Sequence, residues 1–230
     1  DWSSDVCSSD LFHKILEAHR ASKGLSLTDD AAVAEKFGIK VMTVPGAEEN
    51  IKITRDEDLK RAAFWLQAAR ETRVGSGFDV HKFKAGDSVR LAGIDIRHDQ
   101  SLAGHSDADV GLHALTDALL GAMGDGDIGS HFPPNDPQWS GADSSLFLKH
   151  AHDLLIDRGG ELVHADLTII CERPKVGPHR DAMRARIAEI MGVSSTRISV
   201  KATTTEGLGF TGRAEGIAAQ ATVTVSVSRS

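Results

Sequence analysis

The stretch DVGLHALTDALLGAM, residues 109–123, predicts a strong helix. Its apolar residues recur at helical spacing and cover a broad face that includes Val110, Leu115 and Leu119. Either Asp107 or Asp109 is a suitable N-terminal cap for it. The elements on both sides of this helix then decide the fold class.

Strands are predicted before and after the helix, at 74–80, 89–96, 162–171, 198–203 and 217–227. Two more helices are predicted at 144–158 and 178–191, the second with Pro178 at its first position. Alternating apolar residues in the last strand indicate that one of its faces is buried. The pattern predicts an α/β (α+β) domain over residues 73–230, with a mixed sheet of four to five strands and helices packed on one face.

Composition narrows the class of protein. The 230 residues carry a formal net charge of −7 and show no basic stripe, which argues against nucleic acid as a partner. No apolar run reaches the roughly 18 residues of a membrane span, and no secretory signal is visible. Cys7 and Cys171 are too few to stabilise a domain of this size by disulfide bonds, which fits a reducing compartment. We therefore expect a cytoplasmic protein. An acidic protein that handles phosphates must then use metals, backbone N–H groups and a few Lys or Arg.

The first eleven residues, DWSSDVCSSDL, have no periodicity and resemble a translated sequencing-adapter oligonucleotide. We interpret residues 1–11 as an assembly artefact, which removes Cys7 from any chemical argument. A genuine disordered terminus would look the same.

Residues 12–72 form a separate segment. Helices are predicted at 12–19, 31–37 and 54–70, the last opened by a capping box between Thr54 and Glu57. Short strands are predicted at 39–44 and 50–53. The segment has no Gly-rich nucleotide loop and looks like a piece of a larger domain.

The first chemical motif is Asp79-Val80-His81 on the opening strand. Because side chains alternate along a strand, Asp79 and His81 project from the same face, spaced to bind one metal ion. Such a pair is a weak signal by itself. His113, four residues after Asp109 on the predicted helix, adds a third candidate ligand, although a core histidine bonded to the backbone would explain it equally well. Three ligands with a fourth position open are typical of a catalytic zinc site.

The segment KATTTEGLGFTGR, residues 201–213, is the second candidate. Its hydroxyls and backbone N–H groups are suitable phosphate ligands, Glu206 is a hard oxygen ligand for Mg²⁺, and Arg213 is able to clamp a phosphate. A flexible loop with a solvated glutamate is the simpler alternative. Turns at 126–129, 132–137 and 171–175 could shape a pocket for a sugar and a base. No Ser-His-Asp elbow, Walker loop or CxxC pair is present.

Four ordered motifs resemble the 2-C-methyl-D-erythritol 2,4-cyclodiphosphate synthase family. They are GSGFDVH (75–81), AGHSDADVGLHALTDALLGA (103–122), GDIGSHFPPNDP (126–137) and KATTTEGLGFTGRAEGIA (201–218). The resemblance implies zinc ligands at Asp79, His81 and His113, and a second divalent cation, Mg²⁺ or Mn²⁺, at Glu206. It also implies that His105 and Thr204 position the phosphates in the transition state.

The same resemblance implies a methylerythritol-phosphate pocket at 127–129 and 132–136, and a cytidine diphosphate pocket at 171–177 and 203–206. The implied substrate contacts are, in chain order, Asp79, Val80, His81, His105, Ser106, Asp127, Ile128, Gly129, Phe132, Pro133, Pro134, Asn135, Asp136, Cys171, Lys175, Thr203, Thr204, Thr205, Glu206, Phe210 and Arg213.

The family resemblance further implies a homotrimer with active sites between subunits. In the implied reaction the substrate's own 2-phosphate attacks its β-phosphate and CMP leaves, so no protein nucleophile is needed. A metal-dependent phosphodiesterase would use the same Asp/His/His set with water as nucleophile. A non-catalytic scaffold would not require these residues to coexist.

Residues 12–72 resemble the C-terminal end of 4-diphosphocytidyl-2-C-methyl-D-erythritol cytidylyltransferase, with Lys52 matching a substrate-positioning lysine. The Gly-rich CTP loop of that family is absent from them. The resemblance implies an inactive remnant of a bifunctional fusion enzyme.

Overall fold

The computed structural model describes residues 9–42, 44–48, 50–133 and 135–229. Its helices are α1 (Ser9–Ala21), α2 (Asp30–Lys36), α3 (Asp56–Ala68), α4 (Val110–Met123), α5 (Ile128–His131), α6 (Ser145–Asp157), α7 (Arg180–Met191) and α8 (Gly209–Gly212). Its strands are β1 (Arg70–Ala85), β2 (Ser88–Leu91), β3 (Ile94–Arg97), β4 (Gln100–Leu102), β5 (Glu161–Ile170), β6 (Ile198–Thr203) and β7 (Gly216–Ser228). The chain divides into two compact units, residues 1–62 and 63–230. Of the helices in the described part of the chain, none has the length and apolar character needed to cross a bilayer.

The first unit contains α1, α2 and the start of α3. Asp29 caps α2 by accepting a hydrogen bond from the Ala32 N–H at 2.8 Å, as expected for an acidic cap. At α3 the predicted capping box is wrong in detail, because Asp58, not Glu57, accepts hydrogen bonds from the backbone N–H groups of Thr54 and Arg55, each at 3.0 Å.

The two short strands predicted in the first unit are also wrong. The described residues of 39–44 and 50–53 form no strand. A strand is stabilised by hydrogen bonds to a neighbouring strand, and β-branched residues alone cannot supply that neighbour.

The second unit is built on a five-stranded mixed sheet with strand order β4-β1-β7-β5-β6, which confirms the predicted sheet. Only β5 and β6 pair in parallel, and the other neighbours are antiparallel. The alternating residues of β7 are buried as predicted, from Ala219 at 0% exposure to Val227 at 8%. Helix α4 packs over β1 and β7, α6 packs against β5, and α7 against β6.

The strand predicted at 89–96 is in fact a hairpin of β2 and β3. Ala92 and Gly93 form its two-residue turn with φ angles of 52° and 78°, the left-handed geometry of a type I′ turn. Alanine rarely adopts such a φ, so a turn at this position was not expected from the residue types. The helix predicted from Pro178 also begins later, because Gly177–His179 form a 3₁₀ turn before α7.

Two glycines of β1 allow α4 to lie directly on the strand. A Cβ atom at Gly77 would clash with the Ala114 carbonyl oxygen and lie 2.8 Å from the Ala118 nitrogen. A Cβ atom at Gly75 would clash with the Ala118 carbonyl oxygen in the same way. The backbones of β1 and α4 are therefore in direct contact at Gly75 and Gly77.

We predict that Gly77→Ala destabilises the protein by about 1–3 kcal/mol or more, because α4 has to move away from β1. The matched control is Gly121→Ala on α4, where a Cβ would meet only Ser76 O at 3.8 Å. That exchange is expected to be neutral or to stabilise by up to about 1 kcal/mol through helix propensity. Thermal unfolding of both variants checks the prediction, and equal stability of the two would contradict the close approach.

Candidate active site

The close approach of α4 to β1 brings three candidate metal ligands together. Asp79 and His81 lie on the face of β1 that carries Gly75 and Gly77, because all four alternate along the strand. His113 is on the first turn of α4, which Asp109 caps through the N–H groups of residues 111 and 112.

The three ligand atoms form a nearly equilateral triangle, as predicted from the sequence. Asp79 Oδ2, His81 Nε2 and His113 Nδ1 lie 3.0 Å from one another. Ligand atoms of a tetrahedral zinc with bonds of about 2.0 Å are roughly 3.3 Å apart, so a small expansion suffices. Among the described residues this is the one group of three His, Cys, Asp or Glu side chains within ligand reach. Two imidazoles and one carboxylate are a donor set that suits zinc.

The charge states of Asp79 and His81 are strongly linked. Burial alone would raise the pKa of Asp79, but the neighbouring His113 and His81 imidazoles hold that pKa well below its usual range. Burial alone would lower the pKa of His81, but the Asp79 carboxylate raises it above its usual value. Asp79 is therefore ionised, as a metal ligand must be.

A cavity of about 200 Å³ adjoins the metal ligands. It is lined by seven residues of the predicted site, namely His81, His105, Ser106, His113, Ile128, Gly129 and Phe132. Trp139 and Phe147 complete its wall and were not predicted. The ring centroids of Phe132 and Phe147 lie 4.5 Å apart, and those of Phe132 and Trp139 lie 4.9 Å apart. Trp139 follows the FPPNDP turn closely, and this proximity was the one available signal.

Other residues predicted for this region do not line the cavity. Asp127 caps α5 and Asp136 caps the 3₁₀ turn at 137–139, each through a backbone N–H. Pro133 and Asn135 flank these turns, and Pro134 lies outside the described residues. The Val80 side chain projects from the opposite face of β1 and is 39% exposed.

A second cavity of about 350 Å³ opens where the parallel strands β5 and β6 end. Cys171, Lys175, Thr203 and Thr204 of the predicted site line it, together with Arg180 and Lys201. Arg180 was missed, because a cation at the start of a helix has no signature of its own. The ends of parallel strands commonly form ligand crevices. Lys201 is paired with Asp166, whereas Lys175 and Arg180 add positive charge that suits an anionic ligand.

The Cys171 thiol in this cavity is not a candidate nucleophile. Burial raises its pKa to about 11, so the thiol is neutral near pH 7. It contributes a small apolar surface to the cavity wall.

The loop after β6 holds the remaining predicted residues. Thr204 Oγ1 donates to Glu206 Oε1 at 2.8 Å, and Glu206 has a left-handed φ of 54°. Glu172 secures the loop, because its carboxylate accepts hydrogen bonds from the Thr205 and Gly207 N–H groups at 3.1 and 3.3 Å.

Glu206, Phe210 and Arg213 line neither cavity, and Arg213 pairs with Glu215 at 2.8 Å. No described residue lines both cavities. Within one chain the predicted site is thus divided into a metal side and a nucleotide side, each with its own cavity.

Two family models match consecutive segments of the chain. The YgbB family model matches residues 72–226, and the 2-C-methyl-D-erythritol 4-phosphate cytidylyltransferase model matches residues 6–68. A curated bifunctional enzyme IspD/IspF of Paramagnetospirillum magneticum is 59% identical over 95% of this chain, and that of Rhodospirillum rubrum is 55% identical over 98%. This chain spans 57% and 59% of their lengths.

Solved structures give the same relationship. The bifunctional IspDF from Campylobacter jejuni is 38% identical with a TM-score of 0.67, and the match covers 94% of this chain and 57% of that one. A 2C-methyl-D-erythritol-2,4-cyclodiphosphate synthase in its CDP-bound form is 40% identical with a TM-score of 0.61, and the match covers 66% of this chain and 98% of that one.

Proposed function

The chain belongs to the YgbB family, and from that premise we propose that it makes 2-C-methyl-D-erythritol 2,4-cyclodiphosphate. The substrate would be 4-diphosphocytidyl-2-C-methyl-D-erythritol 2-phosphate and the second product CMP. The convergence of Asp79, His81 and His113 beside a cavity is the observation that carries this proposal. The CDP-bound relative at 40% identity supports assigning the cytidine diphosphate to the cavity of Cys171 and Lys175.

In this mechanism an oxygen of the 2-phosphate forms a bond to the β-phosphorus, and the bond from that phosphorus to the CMP oxygen breaks. Zn²⁺ held by Asp79, His81 and His113, and Mg²⁺ or Mn²⁺ at Glu206, would neutralise phosphate charge during the transfer. His105 and Ser106 would position the phosphates from the cavity wall. Thr204 would hold the diphosphate from the nucleotide side.

The aromatic wall of the metal-side cavity favours cyclisation over hydrolysis. Phe132, Trp139 and Phe147 offer apolar surface where the methylerythritol carbon chain would fold. A folded chain held against such a wall brings the 2-phosphate close to the β-phosphate and leaves little room for water.

We predict that the protein with Zn²⁺ and Mg²⁺ converts the substrate into CMP and the cyclic diphosphate in equal amounts, measured by chromatography and phosphorus NMR. His113→Ala is expected to abolish CMP release, because the metal triangle loses one corner. A linear bisphosphate as the main product would instead identify a hydrolase.

We also propose that the active protein is a homotrimer in which the metal side of one chain faces the nucleotide side of the next. The separation of the two cavities within one chain supports this arrangement. So does the uncovered face of β1, where Val74 and Phe78 are 63% and 58% exposed. Apolar side chains in a row on an open sheet face favour burial against another chain.

Complementation between inactive variants checks the shared site. Coexpressed His113→Ala and Glu206→Gln chains are expected to recover about one quarter of wild-type activity, since a random mixture in a cyclic assembly leaves roughly that fraction of sites intact. The matched control combines His113→Ala with Asp79→Ala, which damages the metal side of every chain and should recover nothing. No recovery in the first mixture would contradict a site between subunits.

For the rest of the chain we propose that residues 73–230 are the synthase domain and that 12–72 are part of a cytidylyltransferase domain. Because the cytidylyltransferase match begins at residue 6, we confine the proposed artefact to residues 1–5. The cytidylyltransferase match over residues 6–68 supports this assignment of residues 12–72. The buried free thiol of Cys171 suits a cytoplasmic location.

Two shortened chains test this division. A chain beginning at Arg73 is expected to keep the full cyclisation rate but to lose the hydrogen bonds that Arg70 donates to Ser226 at 2.7 and 2.6 Å. That loss is expected to cost on the order of 1 kcal/mol, or ~2–4 °C in Tm. A chain beginning at Arg70 is the matched control and should keep both rate and Tm. Loss of activity or assembly in both chains would make residues 12–69 structural.

A further inference from the structure

The ring nitrogen of His113 that points away from the metal triangle has an elaborate polar environment. His113 Nε2 lies 2.8 Å from Ser144 Oγ and 3.1 Å from Ser106 Oγ. Ser144 is completely buried, whereas Ser106 lines the metal-side cavity. Ser144 was not identified from the sequence as a site residue.

The proton of the Ser144 hydroxyl is committed to a carboxylate. Ser144 Oγ donates to Asp107 Oδ1, and the Ser144 N–H donates to Asp107 Oδ2 at 3.2 Å. The Arg90 guanidinium lies 3.0 Å from Asp107 Oδ2 and keeps this carboxylate in place. Because its own proton points to Asp107, Ser144 Oγ faces His113 with a lone pair and accepts the Nε2–H.

We propose that Ser144 and Asp107 are positioning residues that prepare His113 for metal binding. A proton fixed on Nε2 leaves the Nδ1 lone pair facing Asp79 and His81, in the tautomer a metal requires. Metal-binding histidines commonly donate their other N–H to a carboxylate or another acceptor. Here Ser144, at the start of α6, stands between His113 and the carboxylate of Asp107, which lies in the loop before α4. This inference rests on the proposed metal centre.

The decisive experiment measures Zn²⁺ affinity of the full chain by competition with a chromophoric chelator. Ser144→Ala is expected to weaken binding by roughly 10–100-fold. Ser145→Ala is the matched control, because the Ser145 hydroxyl bonds Asp143 and not the histidine. It should bind Zn²⁺ as the wild type does. The Tm of each metal-free variant separates loss of folding from loss of affinity.

Asp107→Asn and the double variant Ser144→Ala, Asp107→Asn test the relay itself. In a relay the double variant binds Zn²⁺ no more weakly than Ser144→Ala alone, because the serine carries the whole effect of the aspartate. Nitrogen-edited NMR of the histidine rings should report Nε2–H for His113 in the wild type and a tautomer mixture in Ser144→Ala. Unchanged affinity in Ser144→Ala would overturn the relay and leave the metal centre standing. Failure of the wild type to bind Zn²⁺ would overturn both.

Discussion

The carboxylate of Asp109 is completely buried and accepts hydrogen bonds from four backbone N–H groups, those of Ala92, Gly93, Gly111 and Leu112. Two of these groups belong to the turn between β2 and β3, and two to the first turn of α4. Burial raises the pKa of Asp109, and the backbone donors oppose that shift. One side chain thus stabilises a left-handed turn and fixes the start of the central helix. His113 follows one helical turn later, so the placement of the metal ligand depends on this buried group.

Close backbone packing positions the metal side of the site, whereas local charge characterises the nucleotide side. Gly75 and Gly77 allow α4 to approach β1, which sets the metal triangle on the helix-covered face of the sheet. The nucleotide-side cavity instead has Lys175 and Arg180 at the ends of the parallel strands, beside a Lys201 that Asp166 neutralises. A chain with a net charge of −7 thereby concentrates positive charge where phosphates would lie, without an overall attraction for polyanions.

The sequence predicted the elements whose signals are local. Helices α4 and α6 carry clear periodicity, and β7 alternates over its whole length, so their burial followed from spacing alone. The Asp79–His81 pairing followed from the strand period in the same way. The strands predicted at 39–44 and 50–53 had suitable residues but no partner strand, and partners are not encoded locally. The β2–β3 turn was missed because Ala92 is stabilised by a carboxylate 17 positions away.

The rest of the site depends on contacts between distant segments. Phe147 and Ser144 reach the metal side through the tertiary packing of α6 and its first turn, and Trp139 does so from the 3₁₀ turn at 137–139. No spacing in the sequence links these residues to His113. The residue pattern at 201–213 made Glu206 a candidate cation ligand, and the family resemblance added a candidate role for Thr204. The geometry of their loop came only from the structure. Motifs therefore identify the candidate ligands, and the packing identifies the groups that contact them.

Glu206 combines two requirements that are hard to meet with one residue. Its φ of 54° is a backbone conformation in which glycine, asparagine and aspartate are much less costly than glutamate. The proposed role, however, needs a carboxylate on a side chain long enough to reach a cation across a subunit boundary. Substitutions that relax the backbone would shorten or remove that side chain. Position 206 is thus one where selection for a stable fold and selection for turnover act in opposite directions, and a glutamate that persists there through descent would be a mark of retained catalysis.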